Sequence, residues 1–375
     1  MRAARAEVDL GAIAENTRAL AELAHPAALC AVVKADGYGH GAVPVSRVAL
    51  RAGASWLAVA LVEEAAALRE AGIDAPVLLL SEPRVQDMAT AVRSATRITV
   101  YTVEGVRAAA VAARAAGTVA RVHLKVDTGM NRVGARPEAV RALVEQIVAS
   151  ADLELEALWT HCAVADEPGN EFTDVQLDRF EAVVAQLEGS GRRPPMLHAA
   201  NSAAAIDHPR ARFDLVRSGI ALYGIAPSPA LAGRLPLRPA LSLKAEVSMV
   251  KRVRAGEGIS YGLRHRFERD TTVATVPIGY ADGVPRRLSA VGGEVLVGGR
   301  RRPIVGVVTM DQLMVDCGDD PVATGDEVVL IGRQGDEEIS ADEWAAALDT
   351  IAYEIVCGIG PRVPRHYLHD EDEVQ

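Results

Sequence analysis

VVKADGYGHG, residues 32–41, is the stretch on which the fold turns. An apolar run, Leu29–Val33, stops at Lys34, and glycines follow at Gly37, Gly39 and Gly41. Apolar residues closed off by such breakers predict a buried strand that ends at the lysine. In a barrel of parallel strands, C-terminal strand ends face the active-site mouth. A lysine desolvated there has a lowered pKa and becomes a Schiff-base nucleophile. A second reading competes. Gly37, Gly39 and Ala42 satisfy the G-x-G-x-x-A dinucleotide pattern after a strand, and Glu63 lies roughly where a ribose-binding acid belongs.

Working outward, short apolar runs alternate with alanine-rich helical stretches. The predicted strands are Leu29–Val33, Trp56–Ala60, Val77–Leu80, Ile98–Tyr101, Val122–Val126, Leu155–Trp159, Met196–Ala199 and Phe213–Val216. Helical patterns fall between most of them, as in Glu63–Ala71, Glu104–Ala116, Pro137–Ala149 and Asp174–Glu188. Eight strands, mostly followed by helices, predict a (β/α)8 TIM-type barrel; alternation alone also allows a doubly wound sheet. After Tyr223 the pattern changes. APSPALAGRLPLRP (226–239) reads as a linker. Valine-rich segments follow at Leu241–Val250, Thr272–Val276, Glu294–Val297, Ile304–Val308 and Val328–Ile331, with one helix at Ala341–Leu348. The expected domains are therefore a barrel over 9–230 and a C-terminal mostly β domain over 231–375, to which 1–8 contribute a strand. HDEDEVQ (369–375) reads as a frayed tail.

Composition limits the function. The 375 residues are 49% hydrophobic and 24% charged, as in a soluble globular enzyme. A net charge of −10 argues against a nucleic-acid binder, and Arg300–Arg302 reads as a solvated turn. Cys30, Cys162, Cys317 and Cys357 are too scattered for a metal site, so no metal is expected. No apolar run is long enough to span a membrane, and the MRAARAEVDL start has no apolar targeting core. A cytoplasmic location is the expectation. Of 40 basic side chains only Lys34, Lys125, Lys244 and Lys251 are lysines. Where arginine supplies ordinary positive charge, a lysine after an apolar run is a candidate for chemistry, since lysine alone can become neutral and nucleophilic.

Polar residues close the other strands too: Lys125 and Asp127 with Arg132 just beyond, His161, Asn201 with Ser202, and Arg217. Singly, His161 could be a core histidine, Arg217 an ion pair and Asn201 a helix cap. Together they would converge on one mouth. Ser202 and the backbone of Ser218–Gly219–Ile220 fall where this fold usually binds phosphate. In the β domain, Tyr261 lies at a strand edge, Tyr280 precedes a turn, and Asp311 sits inside an apolar strand, VVTMDQLMVD.

AVVKADGYGHG, HLKVDTGMNRVG, WTHCAVADE, HAANSAA, VRSGIALYG, SYG, IGYADG and VTMDQLMVD, in this order, closely resemble the alanine racemase family, from EVDLGAIAEN to YEIVCGIGPRVPR. Departures are small: Asp36 and Gly37 stand where many relatives have asparagine and alanine. The resemblance implies an isomerase that uses pyridoxal 5'-phosphate to interconvert L-alanine and D-alanine for cell-wall peptidoglycan. It implies a homodimer with active sites shared between subunits. Lys34 is implied to hold the cofactor and act as one base, and Tyr261 as the other. His161 and Arg217 resemble the family's link to the cofactor ring, with Arg217 beside the pyridine nitrogen. Arg132 resembles the contact to the phenolic oxygen and the substrate carboxylate, and Lys125 a lysine carbamylated in many relatives. Tyr38, Ser202, Gly219, Ile220 and Tyr353 resemble the phosphate anchors, and Asn201 counts among the cofactor-binding residues. Tyr280, Met310 and Asp311 resemble substrate contacts.

Overall fold

The computed structural model describes residues 3–369. They form two compact units, one of 12–37 and 41–239, the other of 3–11, 38–40 and 240–369. Strands are numbered along the chain. β1 (Arg5–Asp9) belongs to the second unit, and the next eight build the first. These are β2 (Ala28–Val32), β3 (Trp56–Val59), β4 (Val77–Leu79), β5 (Ile98–Val100), β6 (Ala120–Lys125), β7 (Leu153–Trp159), β8 (Met196–His198) and β9 (Leu215–Ser218).

Every ladder in the first unit is parallel, in the orders β4-β3-β2-β9 and β5-β6-β7-β8. Two seams join these sheets. Between β4 and β5, Leu79 N–H donates to the Arg97 carbonyl (2.9 Å) and Arg97 N–H to the Val77 carbonyl (2.8 Å). Between β8 and β9, Asp214 N–H donates to the Leu197 carbonyl (3.0 Å) and Arg217 N–H to the Ala200 carbonyl (3.1 Å). The eight strands thus close in sequence order as a (β/α)8 barrel. Closure explains the continuous apolar runs, because β2 to β5 and β9 are buried along nearly their whole length. A closed sheet has no point where strand order reverses, so the crevice that a dinucleotide fold needs is missing. The G-x-G-x-x-A reading falls on this ground.

The expected strand Phe213–Val216 is found two residues later, as Leu215–Ser218, which brings Arg217 into the barrel wall. The proline-rich stretch 226–239 is packed against the barrel unit rather than free. The Asn16 side chain donates to the carbonyls of Leu222 (3.2 Å) and Arg238 (2.8 Å) and accepts from Arg238 N–H (2.8 Å).

The second unit is a ten-stranded sheet. Its later strands are β10 (Leu241–Glu246), β11 (Met249–Val253), β14 (Thr271–Val276), β15 (Glu294–Val297), β16 (Arg300–Val305), β17 (Leu313–Gly318), β18 (Glu327–Gln334), β19 (Glu337–Ile339) and β20 (Arg365–Leu368). β12 (Gly258–Ile259) and β13 (His265–Arg266) form a separate small hairpin. β1 lies between β10, antiparallel, and β20, parallel. Three expectations fail here. Leu241–Val250 is two strands, because the chain leaves one sheet neighbour at Val247–Ser248 to reach another. Arg300–Arg302 is strand, with Arg301 paired to Glu294, Glu337 and Glu343 and Arg302 to Asp320. Asp311 sits in an exposed turn before β17, not in a strand, which removes the puzzle of a buried carboxylate. Most of the tail 369–375 lies outside the described residues. Among the described residues no helix is long and apolar enough to cross a membrane.

Gly224 is left-handed (φ 82°), and a Cβ there would lie 1.8 Å from the Arg238 carbonyl oxygen. Relief would require backbone movement. Gly224→Ala should therefore lower stability by about 3 kcal/mol. A denaturation midpoint equal to that of the parent would contradict this packing.

Candidate active site

Lys34 lies two residues past the end of β2, after Val33, and the chain then turns left-handed. Ala35 (φ 52°), Asp36 (φ 50°) and Gly37 (φ 61°) are consecutive in that region, which ordinary side chains avoid. The turn is held from outside. Glu64 accepts from Ala35 N–H (2.6 Å), Asp36 accepts from Ala42 N–H (2.8 Å), and Gly37 N–H donates to the Val33 carbonyl (2.9 Å). Backbone strain held this way fixes where Lys34 emerges at the strand end. Glu64 caps its own helix as well, through Leu61 N–H (3.0 Å).

Lys125 ends β6 and is buried, with its Nζ 4.3 Å from the Trp159 ring centroid. Burial, then the positive charges of Arg217, Arg132 and Lys34, push its amine down to about 7; Asp127 opposes them. Asp127 also folds the following loop by accepting from Gly129 and Asn131 N–H, each at 3.0 Å. That loop carries Arg132.

Arg217 is the most enclosed cation, at 3% exposure. Its Nη1 donates to His198 Nδ1 (2.7 Å). Its Nη2 donates to the carbonyls of Ala199 (2.8 Å) and Thr160 (3.0 Å) and reaches His161 Nδ1 at 3.3 Å. The guanidinium also lies 4.6 Å from the Trp159 ring centroid. Burial lowers its pKa to about 10, which still leaves a cation at neutral pH. His161 is held well below the usual histidine range by burial, then by Arg217, Lys125, Arg132 and Lys34. A neutral His161 that accepts at Nδ1 carries its proton on Nε2.

Ser202 opens the short helix Ser202–Asp207, and Asn201 caps it by accepting from Ala204 N–H (2.9 Å). Ser202 Oγ accepts from Gly219 N–H (2.8 Å) and lies 3.2 Å from Ser218 Oγ. Gly219 and Ile220 begin a tight 3₁₀ turn, Ile220–Tyr223. Tyr223 OH donates to the Val32 carbonyl (3.0 Å), which ties this turn to the strand before Lys34. The barrel mouth thus gathers Lys34, Lys125, Arg132, His161, Ser202, Arg217, Gly219 and Ile220.

The second unit holds the remaining predicted residues. Tyr38 is buried, with its ring 6.3 Å from that of Tyr353, and burial raises its hydroxyl pKa. Tyr261 is 75% exposed, in a turn after β12. It lines a cleft of about 680 Å³ with Met249, Ile259, Thr309 and Met314. Tyr280 N–H donates to the Thr309 carbonyl and Ala281 N–H to the Met310 carbonyl, both at 3.0 Å, so these two loops are stitched together. Arg362 pairs with Asp311 (2.7 Å) and with the buried Asp282 (3.3 Å).

Four contributors escaped the sequence reading: His198, Trp159, Thr160 and Gln176. Gln176 donates to the His161 carbonyl (3.0 Å) from a helix, where nothing in the sequence distinguishes it. His198 did leave a trace, as a lone polar residue in the apolar run before Ala199. Among the described residues no group of three His, Cys, Asp or Glu side chains could hold a metal.

A closed (β/α)8 barrel with a lysine just past its first strand, followed by a mostly β unit, is the architecture the chain shows. The family described as the alanine racemase N-terminal domain matches residues 8–227, and its C-terminal domain matches 240–367. The chain belongs to the alanine racemase family, a family of isomerases. It is 51% identical to the alanine racemase of Symbiobacterium thermophilum, over 98% of this chain and 97% of the relative. The crystal structure of alanine racemase from D-cycloserine-producing Streptomyces lavendulae is similar at a TM-score of 0.94 and 44% identity, covering 100% of this chain and 99% of that one. The Bacillus anthracis enzyme, solved with bound L-Ala-P, gives 0.93 and 42%, covering 99% and 96%.

The Lys125 amine supplies a pH test. Its folded value of about 7 lies below the ordinary value of 10.5. Between the two, the unfolded chain holds a proton that the folded chain has released, so stability rises with pH across that window. Below it, folding carries the full cost of the buried charge. In carbonate-free buffer, Lys125→Met should flatten this rise. Parallel parent and variant profiles of unfolding free energy between about pH 6 and pH 10 would contradict the assignment.

Proposed function

We propose that this chain is an enzyme that interconverts L-alanine and D-alanine with pyridoxal 5'-phosphate, by a two-base mechanism. We further propose that it works in the cytoplasm, supplying D-alanine for peptidoglycan. The observation that carries the reading is Lys34, placed at the end of β2 among Lys125, Arg132 and Arg217. The donor set fits the cofactor. Several cations favour a polyanionic ligand, the amine suits an aldehyde, and the Ser202 hydroxyl and Ile220 backbone N–H are donors for a phosphate beside Gly219, whose N–H is given to Ser202 Oγ. Tyr38 and Tyr353 are proposed as further phosphate donors, and Asn201 as the residue that sets Ser202 in place.

Pyridoxal phosphate, when bound, supplies an aldehyde for amine attachment and a conjugated ring that draws electrons from the substrate α-carbon. The chain's own residues direct the proton transfers. Racemisation removes a proton from one face of the α-carbon and returns one to the other. A single base on one face would tend to regenerate the starting isomer. Lys34 Nζ is proposed for one face and the Tyr261 hydroxyl for the other. Arg217 is proposed to face the pyridine nitrogen. With its proton still held at neutral pH, it has none to give away and leaves that nitrogen unprotonated. Electron demand stays modest, which favours proton return over decarboxylation or transamination. Arg132, Tyr280, Met310 and Asp311 are proposed to bind the substrate. Lys125 is proposed as a carbamylated residue, since a buried amine brought down to about 7 is in good part neutral at neutral pH and can react with carbon dioxide. A ¹³C carbamate resonance, absent from Lys125→Met, checks this.

The exposure of Tyr261 supports a shared site, in which a second copy of the chain receives that hydroxyl. We propose a homodimer on this basis.

Borohydride reduction of the cofactor-loaded protein should fix cofactor to the Lys34 peptide, and Lys34→Ala should lose both this adduct and racemisation. Irreversible trapping in Lys34→Ala would overturn the assignment. For the shared site, inactive Lys34→Ala and Tyr261→Ala chains can be mixed, dissociated and reassociated. Each mixed dimer then holds one intact site, and random pairing returns about a quarter of parent activity per subunit. Mixed dimers without activity would mean that each chain uses its own Tyr261.

A further inference from the structure

The interior of a (β/α)8 barrel is ordinarily filled by layers of apolar side chains. Here a polar column runs through it. Below Arg217, His198 Nε2 lies 3.1 Å from His123 Nδ1, and His123 Nε2 lies 2.8 Å from Glu156 Oε2. Both imidazoles have no solvent exposure. Trp159 stacks on His198 with ring centroids 5.3 Å apart and planes 11° apart, and Trp56 lies 5.6 Å from His123. Glu156 is met by Arg97 (3.4 Å) and Arg121 (4.0 Å), on the early halves of the strands.

The backbone is adapted to this contact. β6 pairs with β7 as Val122↔Leu155 and then His123↔Ala157, so Glu156 is the extra residue of a β-bulge. Bulges re-aim side chains, and they are uncommon between parallel strands. This one accompanies a carboxylate turned toward His123.

We propose that Glu156, His123 and His198 form a positioning column that holds His198 as an acceptor for Arg217, and so sets the placement of its guanidinium at the barrel mouth. The direction of donation follows from the two ends. A guanidinium only donates and an ionised carboxylate only accepts. His198 Nδ1 must therefore accept from Arg217, which puts its proton on Nε2. That proton is donated to His123 Nδ1, and the His123 Nε2 proton goes to Glu156. One tautomer is allowed at each ring. Burial favours neutral imidazoles at His123 and His198. Burial pushes the Glu156 carboxyl up, but His123, Arg97 and Arg121 outweigh it and keep it below the usual range. Remove the carboxylate and the buried His123 Nε2–H loses its acceptor, so the column no longer holds His198 in one place against Arg217. These three are positioning residues, since they act through Arg217.

The role rests on the racemase reading above, while the column itself can be measured without cofactor. The test uses the full chain with ring-¹⁵N histidine. Resonances of His123 and His198 should report protonated Nε2 and unprotonated Nδ1, with and without cofactor. Glu156→Leu should shift the His123 Nε2 resonance, because that N–H loses its acceptor, and should shift the visible absorption of the loaded enzyme. Its kcat should fall roughly tenfold while KM stays within about twofold. Glu156→Gln keeps an acceptor oxygen and should restore the His123 Nε2 resonance and most of kcat. A protonated Nδ1 on either ring of the parent protein would overturn the proposal. So would Glu156→Leu with parental kcat, or Glu156→Gln no better than leucine. If Glu156→Leu does not fold, the parent tautomers and Glu156→Gln still decide. A parent protein that shows these tautomers and no racemisation would remove the functional reading and the column's catalytic role, leaving its geometry intact.

Discussion

A guanidinium buried as deeply as Arg217 is tolerable only if donors and charge are met on nearly every side. That requirement organises the barrel mouth. Two backbone carbonyls, of Thr160 and Ala199, turn inward to accept from it, and two imidazoles take the remaining contacts. Trp159 supplies a π-face to both Arg217 and Lys125. Burial depresses Lys125 and His161 most, and the same fixed cation is the next contributor at both.

The left-handed turn after Lys34 is the second constraint. It is strained, and it is held by two carboxylates, Glu64 and Asp36. Glycine alone cannot account for it, because Ala35 and Asp36 adopt the same backbone region as Gly37. The lysine is therefore placed by its surroundings rather than by local preference.

Much of this was legible in the chain. The barrel was readable because most of its strands are short runs buried on both faces, and punctuation by polar residues marked the mouth. Lys34, Lys125 and Arg217 stood out for being charged where strands end. The β unit was harder. Leu241–Val250 is continuously strand-like in composition, and only pairing with two different neighbours divides it. Asp311 was misplaced because QLMVD looks like the centre of an apolar run, whereas β17 begins only at Leu313. Arg300–Arg302 was misread for a related reason: a strand can carry three arginines when carboxylates of other segments meet them. Such long-range pairings leave no local mark. His123 did leave one, since HLK places it two residues before Lys125 and on the same strand face. Glu156 did not, because its orientation depends on a bulge.

β1 is flanked in its sheet by β10 and β20. The order of synthesis therefore separates it from both neighbours. Residues 5–9 leave the ribosome long before either, with no antiparallel partner until Leu241 has been made and no parallel partner until Arg365 has followed. The strands of the barrel unit are complete by Ser218. An early strand with two open edges is a site for mispairing between nascent chains. Arg5 and Glu7 in β1 place opposite charges along that edge, later matched by Lys244, Glu246 and Glu327. Charges along an open strand edge disfavour such mispairing, and the same charges pair in the finished sheet.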